Sequence, residues 1–215
     1  MSKSRILLVE DHPIFRMGLA ELINNESDLA VCGEAADIAQ GLALVESLRP
    51  DLAVIDLALQ GRSGLELIKE IRDRNLAVPV LVVSMYDEAL YAERALAAGA
   101  LGYVMKVEAP ELITKAIRSV LQGRLYLADE VMAQIAGKMV GMGARASQVP
   151  IERLTDRELE ILSHIADGRT TGEIAKRLSL SPKTVGAHRE NIKQKLGLST
   201  AAELMVFALE WAKAR

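Results

Sequence analysis

A single cysteine, Cys32, is all the thiol in this chain, which excludes an internal disulfide. No apolar stretch reaches the roughly 18 residues of a membrane span, and nothing at the N-terminus reads as a signal peptide. A cytoplasmic location and no membrane partner are therefore expected. Aromatic residues are only 3% of the chain, with Trp211 the one tryptophan, and so few rings belong by default in a core. Internal repeats and low-complexity tracts are missing too, which removes solenoid and disordered classes. A large excess of either charge is missing: the net value of −3 says little until it is divided along the chain.

What remains is 215 residues, 50% hydrophobic and 26% charged, enough for one or two soluble domains with a real core. Residues 1–150 carry 15 Lys/Arg against 20 Asp/Glu, whereas residues 151–215 carry 11 against 9. The basic excess is densest from Lys176 to Lys195, where Lys176, Arg177, Lys183, Arg189, Lys193 and Lys195 face Glu190 alone. That is a weak pointer to nucleic acid.

Short apolar runs alternate with amphipathic stretches five times, the pattern of an α/β fold. Strands are predicted at 5–9, 29–35, 52–56, 78–84 and 102–105. The helices between them carry start signals: Pro13, Asp37, a capping box Ser63-Gly-Leu-Glu66, Asp87, and Pro110 in the first turn of a helix over 109–121. Right-handed crossovers of this length give a doubly wound parallel sheet of flavodoxin-like, (βα)5 strand order. A helix over 129–139 runs into Gly141, Gly143, Ala144, Ser147 and Pro150, so residues 125–150 read as a linker helix and flexible linker between a domain over 1–124 and another over 151–215.

Beyond residue 150 the period is purely helical. Thr155-Asp-Arg-Glu158 and Thr170-Thr-Gly-Glu173 are capping boxes, and Ser181-Pro182 supplies an N-cap with Pro at the first helical position. Ser179-Leu180 leaves room only for a tight turn, so the second and third helices form a helix-turn-helix in a small all-α domain. Val185, Ile192 and Leu196 recur at helical spacing and should face a core, leaving Lys183, Ala187, Glu190 and Gln194 on the opposite side. The last helix places Leu204, Ala208 and Trp211 on one stripe, either an interface between two copies or a face packed within its own domain.

Chemistry gathers at the strand ends. Leu52-Ala-Val-Ile is followed by Asp56, Ile6-Leu-Leu-Val by Glu10 and Asp11, and Gly102-Tyr-Val-Met by Lys106. Open α/β sheets place ligands at such ends. Glu10, Asp11 and Asp56 offer a hard divalent cation oxygen ligands, and magnesium, which needs few carboxylates plus a phosphate oxygen, suits them. Ser84 and Lys106 reach the same crevice and can stabilise equatorial oxygens in phosphoryl transfer, with Asp56 the carboxylate nucleophile.

Val9-Glu-Asp-His-Pro-Ile-Phe-Arg-Met-Gly-Leu19, with Asp56, Ser84 and Lys106, resembles the receiver of two-component response regulators, specifically the NarL/FixJ type. Leu154-Thr-Asp-Arg-Glu-Leu-Glu-Ile-Leu162, Glu173-Ile-Ala-Lys-Arg-Leu178, Thr184-Val185, His188-Arg189 and Asn191-Ile192 resemble the LuxR-type DNA-binding module. The resemblance spans essentially the whole chain. It implies a transcription regulator phosphorylated on Asp56 by a sensor histidine kinase, with Ser84 as switch hydroxyl, Tyr103 as switch aromatic and the Ala58 carbonyl completing the Mg2+ shell. It further implies double-stranded DNA contacts by Lys183, Thr184, Val185, Ala187, His188, Arg189, Glu190 and Lys193, and a homodimer on DNA rather than an enzyme. Gln60 and Val107 stand where many receivers have Pro, and a trans peptide is expected before Val107. Two other readings stay open: a phosphohydrolase of haloacid dehalogenase type, against which Ala58 stands where those enzymes carry a second Asp, and a degenerate receiver serving only dimerisation.

Overall fold

The computed structural model describes residues 3–59, 62–108, 110–139 and 150–213. Gln60, Ala109 and residues 140–149, the expected flexible part of the linker up to Pro150, lie outside the described residues. The chain divides into two compact units, Met1–Ala144 and Arg145–Arg215.

In the first unit, β1 (Ser4–Val9), α1 (Pro13–Asn24), β2 (Leu29–Ala35), α2 (Ile38–Leu48) and β3 (Leu52–Ile55) are followed by a two-strand hairpin, β4 (Ala58–Leu59) and β5 (Arg62–Ser63). Then come α3 (Gly64–Asp73), β6 (Val80–Ser84), α4 (Glu88–Ala98), β7 (Gly102–Met105), α5 (Pro110–Leu121) and α6 (Asp129–Met139). The five long strands form one sheet in the order β2-β1-β3-β6-β7, every pairing parallel. All four residues of β3 and all five of β6 are buried, which is why they read as unbroken apolar runs. Ile6, Leu8, Val54, Leu81, Val104 and Ile117 belong to the core on one sheet face.

The start signals act as expected at Asp37, whose side chain accepts from Gln40 N–H, at Asp87, which accepts from Ala89 N–H, and at Pro13. Ser63 does cap α3, accepting from Leu65 N–H, but the box does not close. Glu66 is drawn instead to Arg62 at 2.7 Å, a charge-assisted bond that outcompetes a backbone N–H.

Contacts do not thin out at residue 124. Tyr126 bridges Gly102, accepting from Tyr103 N–H at 2.9 Å and donating to Leu101 O at 3.1 Å. Ala128 N–H donates to the buried Glu88 carboxylate at 2.8 Å. The helix expected to belong to a linker is therefore tied into the first unit, because backbone groups at 126–128 find partners there.

The second unit holds a 3-10 turn (Pro150–Arg153), α7 (Asp156–Ala166), α8 (Thr171–Arg177), α9 (Pro182–Leu196) and α10 (Ala201–Lys213). Both Thr-Glu capping boxes close, and Ser181 caps α9 by accepting from Thr184 N–H. The turn between α8 and α9 holds Ser179 at φ 51°, where Leu180 N–H reaches Ala175 O. Val185, Ile192, Leu204 and Ala208 are fully buried, while Leu196 is half-buried.

His164 of α7 is buried and makes no hydrogen bond; Asp167 Oδ2 is 3.7 Å from its Nδ1. Burial first, then the Arg169 charge, hold its pKa down to about 4 against an ordinary 6.5. The unfolded chain binds a proton that the folded unit refuses, so stability should fall as pH drops from about 6.5 to about 4. The full loss is about 3 kcal/mol. Denaturation followed by the fluorescence of Trp211, which lies in this unit, measures it; His164→Leu should flatten the dependence, and an equally steep acid loss in that variant would place the proton elsewhere.

Candidate functional site

Register brings the expected residues of the first unit together. Val9 pairs with Ile55, so the next residues, Glu10 and Asp56, leave adjacent strands side by side, and Asp56 N–H donates to Val9 O at 2.9 Å. Ser84 pairs with Met105, and Lys106 N–H donates to Ser84 O at 2.8 Å. The crevice lies between β1 and β3, where the strand order reverses direction.

Lys106 is the hub. Its Nζ lies 2.7 Å from Asp56 Oδ2 and 2.5 Å from Glu10 Oε2, with all three side chains nearly withdrawn from solvent. Glu10 Oε1 also accepts from His12 N–H at 3.0 Å. Burial first, then the neighbouring Asp56 charge, push the Glu10 carboxyl up, against the pull of Lys106. Asp56 is 3% exposed, yet its Oδ1 has no hydrogen-bond partner. A buried carboxylate oxygen left unpaired costs about 1–3 kcal/mol or more. A cation or a phosphoryl group at that oxygen would remove the cost, and the donor set of Glu10, Asp11 and Asp56 is all oxygen, as magnesium requires. Asp11 is half-exposed at the rim, and Ala58 opens β4, paired with Ser63.

Tyr103 is buried, with its hydroxyl donating to Tyr86 O at 2.8 Å. Burial pushes its phenol well above the ordinary value, so it stays a donor. Ser84 is fully buried, and its Oγ accepts from Tyr86 N–H at 3.4 Å, so both switch candidates meet at one residue of the β6–α4 loop. The Lys106–Val107 peptide is trans, as are all peptide bonds among the described residues.

Three contributors were not anticipated. Phe15 places its ring 4.4 Å beneath Lys106 Nζ, and Arg16 clamps Glu10 O at 2.5 Å. Gly64 packs so close that a Cβ would lie 2.0 Å from Asp56 O. Only the Gly of Ser63-Gly64-Leu65 could have signalled it.

In the second unit Lys183, Thr184, Ala187, Glu190 and Gln194 are exposed on α9, and His188, Arg189 and Lys193 are half-buried. Val185 must be withdrawn from the expected DNA contacts: its side chain is 0% exposed, because the same periodicity that places it on α9 turns it into the core. Lys195 leaves the basic face as well, its Nζ held 2.6 Å from the buried Glu158. Glu190 pairs with Lys193 at 2.9 Å on the surface.

A receiver-domain model, "Response regulator receiver domain", matches residues 6–118, and "Bacterial regulatory proteins, luxR family" matches 152–208. The chain is 37% identical over 207 residues to the transcriptional regulatory protein LiaR of Bacillus subtilis, covering 95% of this chain and 96% of LiaR. This chain is a response regulator of the NarL/FixJ type. The nitrate/nitrite response regulator NarL of Escherichia coli is 35% identical, with 94% of this chain and 93% of NarL covered. A crystal structure of a LuxR-family two-component response regulator from Aurantimonas superposes with a TM-score of 0.60 at 37% identity, covering 65% of this chain and 99% of that one. A receiver joined to a LuxR-type domain, in a family of transcriptional regulators, does not favour the phosphohydrolase reading. No helix among the described residues is long and apolar enough to cross a membrane.

Proposed function

We propose that Asp56 is the phosphoacceptor of this response regulator. An Asp56 oxygen attacks phosphorus, the P–N bond of a histidine kinase's phosphohistidine breaks, and the freed imidazole takes a proton. The observation that carries this reading is the buried, unpartnered Asp56 Oδ1 beside Lys106. Glu10, Asp11, Asp56 and the Ala58 carbonyl would hold Mg2+, whose charge offsets that of the incoming phosphoryl group. Lys106 and Ser84 then meet phosphoryl oxygens, and Tyr103 follows Ser84 through their shared neighbour Tyr86. The protein acts in the cytoplasm as a regulator rather than a turnover enzyme.

Loading from a small phosphodonor should require magnesium and vanish with a chelator, as read by intact mass; loading that survives metal removal would sink the metal assignment. Lys106→Ala should still load but no longer change DNA affinity, since the ammonium that senses the phosphoryl group is gone. A phosphorylation response of normal size in that variant would move the switch to another residue. In the unmodified protein, phosphorylation should raise DNA affinity by roughly 5- to 150-fold.

The DNA-binding face is Lys183, Thr184, Ala187, His188, Arg189, Glu190 and Lys193 on α9. A single recognition helix reads one half-site, so a homodimer on two-fold DNA is expected. Of the stripe considered for its interface, Leu204 and Ala208 are buried within the unit, where α10 packs against α7, and Trp211 is half-buried; the exposed large apolar residues of α10 are Val206 and Leu209. The Glu190–Lys193 pair, worth a few tenths of a kcal/mol, favours a surface role for Glu190 in the free protein. If Glu190 exchanges that partner for cytosine N4 on DNA, Glu190→Ala should relax preference at one position per half-site while strengthening non-specific binding. Selected-sequence profiles that match the unmodified protein at every position would leave the ion pair as its whole role.

A further inference from the structure

Between the start of α4, the loop after β7 and the start of α6, the first unit holds a cavity of about 240 Å³ that shares no residue with the Glu10, Asp11 and Asp56 cluster. Four carboxylates line it, those of Glu88, Glu108, Asp129 and Glu130, together with Tyr103 and Tyr126; no Lys or Arg among the described residues does. Glu88 is the independent sign of a ligand. It is 8% exposed, its Oε1 accepts from Ala128 N–H at 2.8 Å, and its other oxygen has neither a hydrogen bond nor an ion pair among the described residues. A carboxylate so far withdrawn from water normally has a cation beside it. Burial pushes its carboxyl up against the pull of the Ala128 N–H, and the charges of Glu108, Asp87 and Glu130 push it further. Burial and then the charges of Glu108, Glu88 and Asp129 push the Tyr126 phenol up as well, so the negative charge converges on one ring.

Spacing decides which cation fits. Among the described residues, only Glu10, Asp11 and His12 bring three ligand atoms within 4.8 Å of one another, so the four acids of the cavity do not close around one metal ion. A longer cation gives each carboxylate a charge of its own. The cavity is also smaller than the roughly 300–1,000 Å³ of a drug-sized site, which suits a slender chain. We propose that it binds a linear aliphatic polyamine, whose ammonium groups meet Glu88, Glu108, Asp129, Glu130 and the Tyr126 ring while its methylenes lie on Leu112 and Leu127. Tyr103 forms part of the wall, so a bound amine rests against the aromatic assigned to the switch. Only that link depends on the phosphoacceptor reading; binding itself does not.

Calorimetry of the full chain with spermidine, at physiological ionic strength and without DNA, tests the site. Saturable one-to-one binding is expected. Glu88→Gln, whose amide oxygen can still accept from Ala128 N–H, should weaken it about tenfold or more, because a desolvated charge is lost. Glu108 and Glu130 are exposed, so Glu108→Gln and Glu130→Gln keep the fold even if Glu88→Gln does not, and each should weaken binding by roughly two- to fivefold. Glu21→Gln on α1 makes the same change of net charge outside the cavity and should shift affinity by less than about twofold. Losses as large in Glu21→Gln as in the cavity variants, or uptake that never saturates, reduce the effect to a diffuse counter-ion atmosphere and overturn the proposal. So does N-acetyl-lysinamide, a single ammonium on a methylene stem, binding as tightly as spermidine, which reassigns the cavity to one side chain of a protein partner.

Discussion

Asp56→Asn is expected to abolish phosphoryl loading outright. The amide has nearly the same shape but offers no anionic oxygen to attack phosphorus, so the loss is a change of chemistry rather than of fit. The fold should survive it. Lys106 keeps Glu10 at 2.5 Å, so its buried ammonium is not left without a counter-charge, and the Asp56 backbone still bonds Val9. Intact mass after incubation with a small phosphodonor and magnesium decides: full labelling of the variant would hand the acceptor role to another carboxylate.

The second large effect is structural. Gly64→Ala places a methyl group 2.0 Å from the Asp56 carbonyl oxygen and 2.9 Å from Leu57 Cα, both backbone atoms that no rotamer change can move aside. Either α3 shifts away from the strand end or the backbone carrying Asp56 is displaced. Overpacking of this kind costs typically 1–3 kcal/mol, and a clash with backbone belongs at or above the top of that range. The site itself is distorted, so loading should slow as well. Gly186→Ala is the matched control: it lies mid-helix in α9, with nothing within 4 Å of its Cβ position, and should stabilise the second unit by up to about 1 kcal/mol. Thermal melts of the two variants moving in the same direction would refute the steric account of Gly64.

How much of this was legible in the sequence depends on what each residue answers to. Glu10, Asp56, Ser84 and Lys106 interrupt or follow apolar runs, so the pattern alone places them at strand ends, and parallel register then brings them together. Caps at Asp37, Thr155, Thr170 and Ser181 are local, and local chemistry decides them. Ser63-Gly-Leu-Glu66 reads as a box until Arg62 competes for the glutamate, a choice made by side-chain geometry that spacing does not encode. Lys195 counts as one more positive charge in sequence, and only the fold reveals that Glu158 consumes it. A stripe such as Leu204 and Ala208 announces an apolar face without saying what covers it; the cover is α7. Phe15 sits in α1, 91 residues from the lysine whose charge its ring faces, and no periodicity links the two.

The pairing of Tyr126 with Gly102 bears on how the first unit can be isolated. β7 is the last strand of the sheet, and its outer row of N–H and C=O groups would otherwise be open to a strand from another molecule. Tyr126 occupies that row, taking the N–H of Tyr103 and the C=O of Leu101. A fragment ending at Arg118, where the receiver match stops, or at Arg124 would strip the cover from β7 and leave a short, apolar edge ready for intermolecular pairing. A fragment carried through Met139 keeps that edge closed and should remain monodisperse where the shorter ones aggregate.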